Sequence, residues 1–287
     1  MTEEPAKMTD RPRPPAMTKS PLDPREFAAK IRRLVLQQSK RANVGHIGSA
    51  LSVADIVGAL YAGVLDPIDV ESPDRDRFIL SKGHAALALY AALFLCGHLT
   101  EAELNSYCAD GSKLGVHPEH QLQGVDFSTG SLGHGLSIGA GAALAGALLG
   151  STRRVFVLLS DAECNEGAVW EAVMFAKQHL LANLIAIVDQ NGQQALGFTR
   201  DVLDLAPLAE RWRAFGWDAH DVDGHDPAGI AATIRELDHK SGPPHVLVAR
   251  TVFGNGVSFM ESRIRWHYMP MSDEEYESAL AEVDART

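Results

Sequence analysis

Cysteine is nearly missing: Cys96, Cys108 and Cys164 are the only three in 287 residues. So few and so scattered, they exclude a disulfide framework and a cysteine-based zinc site. A reducing, cytoplasmic setting is the default expectation. Positive charge is short as well, with 26 Lys and Arg against 37 Asp and Glu, a net charge of −11 and no long basic block. That balance argues against nucleic acid as a partner. It leaves an anionic ligand open, because backbone dipoles and a bound cation can reverse the field locally. Long apolar runs are also missing. The longest stretch of small apolar residues, Leu136 to Leu149, falls short of the ~20 residues of a membrane span. With no secretory apolar region near the start, no membrane partner is expected. The Gly/Ala richness of that stretch suits a tightly packed, buried helix.

What is present is ordinary globular material, 46% hydrophobic and 22% charged, enough for one large α/β domain or two small ones. Residues 1–24 stand apart, holding six of the fourteen prolines. Such a segment buries too little to offset its ordering entropy, so a flexible tail is expected there, or an arm that orders on a partner. From residue 25 to 287 a single domain is expected.

Phe27, Ile31, Leu34 and Val35 fall at helical spacing, and Ser52 to Leu65 repeats the pattern after a Gly-rich turn. Arg77 to Leu80 reads as a short strand, followed by an apolar helix through Leu95. Val155–Leu159 and Leu184–Val188 are continuous apolar runs, the pattern of central parallel strands covered on both faces. Helices are expected over Trp170–Leu181, Leu205–Phe215 and Pro227–Leu237, and strands over Trp217–Val222 and His245–Ala249. The alternation predicts an α/β fold, a doubly wound parallel sheet with helices on both faces.

In such a sheet, ligands sit beyond the C-terminal strand ends. Two strand ends carry suggestive residues: Leu159-Ser160-Asp161-Ala162-Glu163 and Asp189-Gln190-Asn191-Gly192-Gln193. Asp161 and Asn191 lie thirty positions apart, room for one strand–helix–strand unit. Both side chains then emerge on one sheet edge, offering a carboxylate and an amide oxygen. Those are hard ligands suited to magnesium, which takes further oxygens from phosphate and water. A helix start after Asp161 would attract phosphate. On chemistry alone a plainer reading is as good: Asp161 as a helix N-cap and Asn191-Gly192 as a tight turn.

The wording around these residues is more specific. Ser160-Asp161-Ala162-Glu163-Cys164-Asn165-Glu166-Gly167, Trp170-Glu171-Ala172, Asn183-Leu184 and Asp189-Gln190-Asn191-Gly192 together resemble the thiamine-diphosphate motif of the transketolase family. The resemblance spans nearly all of residues 25–267 and implies that Asp161, Asn191 and the backbone carbonyl of Gln193 hold a metal. That metal, magnesium or else calcium or manganese, would hold the cofactor's diphosphate. Asp161, Ala162, Glu163 and Asn191 would then be cofactor contacts. The family motif usually reads Gly-Asp-Gly. Ser160 is a mild departure and Ala162 a larger one, because glycine there can adopt positive φ and admit phosphate closely.

The same resemblance singles out histidines among the twelve. Asn43-Val44-Gly45-His46-Ile47-Gly48-Ser49, Ser81-Lys82-Gly83-His84-Ala85, Gly115-Val116-His117-Pro118-Glu119 and Trp266-His267 are similar to family segments lining the cofactor and sugar channel. Imidazoles exposed by Gly-rich turns can exchange protons with sugar hydroxyls near neutral pH. His46, His84, His117 and His267 are therefore the expected catalytic histidines. After His267, Tyr268-Met269-Pro270-Met271 departs from the family's Gly-Lys-Ala-Pro. Ser128-Thr129-Gly130-Ser131-Leu132-Gly133-His134-Gly135 resembles the segment packing against the thiazolium, implying cofactor contacts at Gly130, Ser131 and Leu132. His134 could bond near the diphosphate or simply start a helix. Glu166 corresponds to a glutamate linking two active sites at a dimer interface.

One part of the family's machinery is not found. A glutamate that bonds the aminopyrimidine ring comes from a second α/β domain, and no segment here resembles it. The resemblance thus implies a separate C-terminal, pyrimidine-binding subunit, with two copies of each chain assembling. The activity implied is transfer of a two-carbon ketol unit between a ketose and an aldose, as sugar phosphates. Two-carbon transfer to a carrier protein, a deoxyxylulose-phosphate-synthase-like condensation and a non-catalytic scaffold are the alternatives.

Overall fold

The computed structural model describes residues 23–65 and 72–286. The tail expected over residues 1–24 lies outside the described residues except for Asp23 and Pro24. Those two already belong to the first helix. Asp23 accepts the Arg25 N–H as N-cap of Pro24–Ala42, and Pro24 takes the first position, where a missing N–H costs nothing.

Five parallel strands form the sheet: β1 (Arg77–Leu80), β2 (Val155–Ser160), β3 (Leu184–Gln190), β6 (Asp218–Asp223) and β7 (His245–Arg250), in the order β1-β2-β3-β7-β6. A small antiparallel hairpin, β4 (Gln193–Gln194) and β5 (Gly197–Phe198), follows the end of β3. Successive residues of a strand point to opposite faces, and in β2 Phe156 and Leu158 enter one core while Val155, Val157 and Leu159 enter another. Helices Pro24–Ala42, Ala86–Leu95 and Pro227–Glu236 pack into the first core. Helices His134–Leu148, Gly167–Gln178 and Leu208–Ala214 pack into the second. The fold is the expected doubly wound α/β sheet with helices on both faces.

Local expectations needed three corrections. The helix expected over Ser52–Leu65 is broken into Ile47–Ser52, Ala54–Gly58 and a π-helical segment Ala59–Val64, with the break at Val53. An apolar run buried on every side carries no periodic trace of such a break. The helix expected from Leu205 begins only at Leu208, directly after Pro207. Finally, the Gly/Ala helix is buried on one side only. Gly135, Gly139, Ala140, Ala143 and Gly146 face the sheet, where a Cβ on Gly139 would stand 2.4 Å from Val157. Its other side is open, and Leu148 and Leu149 are 79% and 76% exposed. Composition reported the close approach, not which face makes it. Among the described residues, no helix is long and apolar enough to cross a membrane.

Candidate active site

The C-terminal strand ends converge as the alternation requires. Register pairs Ser160 with Asp189 and Gln190 with Arg250, so Asp161, Asn191 and Thr251 all follow the same sheet edge. Asp161 is buried, and its carboxylate accepts the N–H groups of Ala162 and Gly192, each at 2.8 Å. Gly192 presents that N–H from a left-handed turn, φ +73°, which a Cβ would strain. Asp161 also caps the short 3-10 turn Ala162–Asn165. The plain readings, cap and turn, therefore hold alongside the ligand reading. Ala162 lies within that turn and is absent from the residues with positive φ, so the larger departure from Gly-Asp-Gly introduces no backbone strain.

A second carboxylate lies behind the first. Asp189 is fully buried and receives the Lys82 ammonium, the Thr251 hydroxyl, the Ser52 hydroxyl at 2.7 and 2.9 Å and the Asn191 amide at 2.9 Å. Lys82 is itself fully buried. Burial, and then the charge of Asp189, pushes the Asp161 carboxyl up to about 7. No basic side chain bonds Asp161 among the described residues. Asn191 Oδ1 accepts the Gln193 N–H at 2.9 Å, while the buried Gln193 Oε1 has no partner among the described residues.

These features fit a hard divalent cation: a desolvated carboxylate without a counter-charge, an amide beside it, and an orphaned buried oxygen. The carboxylate and the amide open on a cleft of about 520 Å³ lined by Asp161, Asn191, Gly192, Arg200, Arg250 and Thr251. The two arginines can meet an anionic group there. Arg200, Arg250, Lys82, Asp189, Ser52 and Thr251 are not among the residues that the sequence singles out. Asp189 and Lys82 sit inside the motifs, but nothing local tells that they pair.

Three of the four expected histidines meet. His46, His84 and His267 stand with ring centroids 5.3–5.7 Å apart, brought together from positions up to 221 residues distant. His46 occupies a left-handed conformation, φ +61°, at the start of Ile47–Ser52. An unforced side chain of this size seldom adopts it, and such strain gathers at functional sites. Burial, then the neighbouring His267 and His117, pushes His46 down to about 4. Burial, then Lys82, holds His84 well below its ordinary value, and burial also lowers His267. All three are neutral imidazoles at pH 7, able to accept a proton from a sugar hydroxyl. His117 makes no ring contact with the three but is near enough for its charge to act on His46 and His84, and its ring lies 3.0 Å from where a Cβ on Gly130 would stand.

The segment 129–133 is pinned to the end of β1. Thr129 donates to the Leu80 carbonyl at 2.6 Å, and a Cβ on Gly83 would stand 2.9 Å from the Gly130 Cα. Gly130 and Leu132 are half-buried and Ser131 is exposed beside them. Glu163, expected as a cofactor contact, is fully buried and accepts the Ser81 hydroxyl and the N–H groups of Gly133, 2.8 Å, and Ser160, 3.3 Å. Its carboxylate holds the 130–133 turn in place. Glu166 and His134 are both exposed. Glu166 lies outside the histidine group, its Cβ 2.7 Å from a Cβ placed on Gly133. Tyr268, the first residue of the departing segment, donates to the Ala195 carbonyl and so ties the His267 helix to the β4–β5 hairpin.

Residues 24–283 match the family described as "Transketolase, thiamine diphosphate binding domain". The chain belongs to the transketolase family. It is 41% identical over 255 residues to one subunit of an apulose-4-phosphate transketolase of Actinobacillus succinogenes, covering 88% of this chain and 92% of the relative. It is 36% identical over 271 residues to a 6-deoxy-6-sulfo-D-fructose transketolase subunit of Clostridium sp., covering 93% and 98%. Among solved structures, transketolase from Leishmania mexicana superposes with a TM-score of 0.85 at 28% identity, covering 92% of this chain and 41% of that one. The chain thus spans about two fifths of the solved transketolases it matches, and nearly all of the relatives named as subunits. The transketolase fold accounts for the placement of Asp161, Asn191 and the histidines on one sheet edge.

Proposed function

We infer that this chain is the thiamine-diphosphate- and magnesium-binding subunit of a two-subunit transketolase. The observation that carries the reading is the convergence of His46, His84 and His267 on the edge that also holds Asp161 and Asn191. Bound thiamine diphosphate supplies the nucleophilic carbon and the electron sink for carbon–carbon cleavage. Asp161, Asn191 and the Gln193 carbonyl would hold the metal, and the metal the diphosphate. Gly130, Ser131 and Leu132 would line the cofactor on the other side. His46, His84, His117 and His267 would hold the sugar hydroxyls, one of the neutral rings taking the proton from the hydroxyl next to the breaking bond. Glu166, exposed at the surface, would face a second active site across an interface between copies.

The reaction is transfer of a two-carbon ketol unit between a ketose and an aldose, and the relatives' names point to phosphorylated or otherwise anionic sugars. A second polypeptide would carry the pyrimidine-binding half, and two copies of each would assemble as a heterotetramer. Relatives of nearly the same length, themselves named as transketolase subunits, support that division. The three cysteines are free, which suits a reducing cytoplasm.

The test is reconstitution. The chain mixed with a C-terminal transketolase subunit, thiamine diphosphate and Mg²⁺ should transfer a ketol unit from a ketose phosphate to an aldose phosphate, and the chain alone should not. No transfer to any aldose, with turnover of pyruvate instead, would overturn the reading.

A further inference from the structure

The opposite edge of the sheet holds a group that the reaction does not use. Strands β6 and β7 begin there, and their register pairs Asp218 with His245 and His220 with Leu247. Alternation turns Asp218 and His220 to the same face, so two adjacent parallel strands offer a carboxylate and two imidazoles together. One ligand atom from each lies within 4.8 Å of the others, the one such group of three found among the described residues.

The hydrogen bonding of this group closes without a metal only if the His245 ring carries two protons. His245 Nε2 lies 2.9 Å from the Asp238 carbonyl oxygen, which can only accept, so Nε2 carries the proton. In the neutral ring Nδ1 then presents a lone pair, yet it lies 3.0 Å from the Asp218 Oδ2 carboxylate oxygen. His220 Nε2 also lies 3.0 Å from that oxygen, but it is inaccessible and lacks the alignment of a hydrogen bond. Both imidazole nitrogens thus stand 3.0 Å from the same Asp218 oxygen, a separation natural for the edge of a coordination tetrahedron, given metal–ligand bonds of ~2.0–2.2 Å. A ring N–H donated to a backbone carbonyl is the usual device for orienting a metal-bound histidine.

We propose that Asp218, His220 and His245 bind a borderline divalent cation of the zinc class, separate from the magnesium expected at the cofactor edge. Two imidazole nitrogens select zinc, cobalt or nickel over magnesium, which prefers oxygen. The fourth position opens on a cavity of about 650 Å³ lined by Thr233, Glu236 and Ser241 and is left to water. The ion ties β6, one of the two edge strands, to β7, whose far end delivers Arg250 and Thr251 to the cofactor cleft.

Cobalt is the probe, because tetrahedral Co²⁺ absorbs in the visible. The chain is stripped with chelator and titrated with Co²⁺, then Zn²⁺, under excess Mg²⁺. One equivalent of Co²⁺ should produce the bands, Zn²⁺ should abolish them, and Zn²⁺ should raise Tm. His220→Ala, on the outer strand and half-exposed, should weaken binding at least ~10-fold and leave thiamine diphosphate binding unchanged. Asp218→Asn serves as the second ligand variant should the first fail to fold. His84→Gln, in the other histidine group, should keep the bands. Retention of binding in the Asp218 or His220 variant, its loss in His84→Gln, or no binding at all would overturn the proposal. The last outcome would make the group an Asp218–imidazolium ion pair only.

Discussion

Two aspartates stand at neighbouring strand ends and are treated in opposite ways. Asp189, near the end of β3, is surrounded: a buried lysine, two hydroxyls and an amide meet its oxygens. Asp161, just beyond β2, receives two backbone N–H groups and, among the described residues, no cation. Both are buried, so the difference is one of partners and not of exposure. A carboxylate whose charge is already balanced holds elements together; here it joins the helix ending at Ser52, the turn after β1 and the start of the loop after β7. A carboxylate left without a counter-charge in a desolvated site is prepared for a cation brought from solution.

The comparison breaks most visibly through Lys82. Lys82→Met leaves the Asp189 charge buried and unpaired, and chemical denaturation should show a loss of about 3–5 kcal/mol. Adding Asp189→Asn should restore most of it. Wild-type stability in the single variant would show that Asp189 is not held by that charge.

Asp161→Asn should act in the other direction. The folded chain's Asp161 titrates at about 7, above the ordinary carboxyl value near 4. The folded state therefore binds the proton more tightly, and the carboxyl costs stability as pH rises from about 4 to 7 and fully above 7. At pH 8 without metal, Asp161→Asn should raise stability, by up to ~4 kcal/mol if the whole difference is relieved. The same variant should lose Mg²⁺-dependent thiamine diphosphate binding, read by calorimetry. A variant that is less stable and still binds would invert the assignment of the two aspartates.

The smallest effect is a pH dependence. Below about pH 7 a proton competes with the metal for Asp161, and Mg²⁺ affinity should fall toward tenfold per pH unit. Titrations at pH 6 and 8 would detect it. An affinity flat across that range would place the metal elsewhere.

Much of this edge is legible in the residues. Continuous apolar runs announce β2 and β3, and the spacing of Asp161 and Asn191 places both at the ends of adjacent parallel strands. The histidines stand in motifs, and the structure brings them together. Glu163 reads as a cofactor contact because it lies in the motif; that its carboxylate meets the Ser81 hydroxyl and the Gly133 N–H is legible only in the fold. The zinc-class group is not visible at all: Asp218 and His245 are 27 residues apart, joined by strand register and not by any motif.

What the sequence determined by itself is what depends on neighbours along the chain. Strand and helix order, the left-handed glycine after Asn191 and the caps follow from local sterics and the periodicity of apolar side chains. The tertiary structure alone decided the rest. Lys82 meets Asp189 across 107 residues, and Ser52 meets it across 137. Charge pairing, burial and the resulting shift of Asp161 are properties of which distant groups share a desolvated volume. Only the assembled sheet, with both faces covered, sets that.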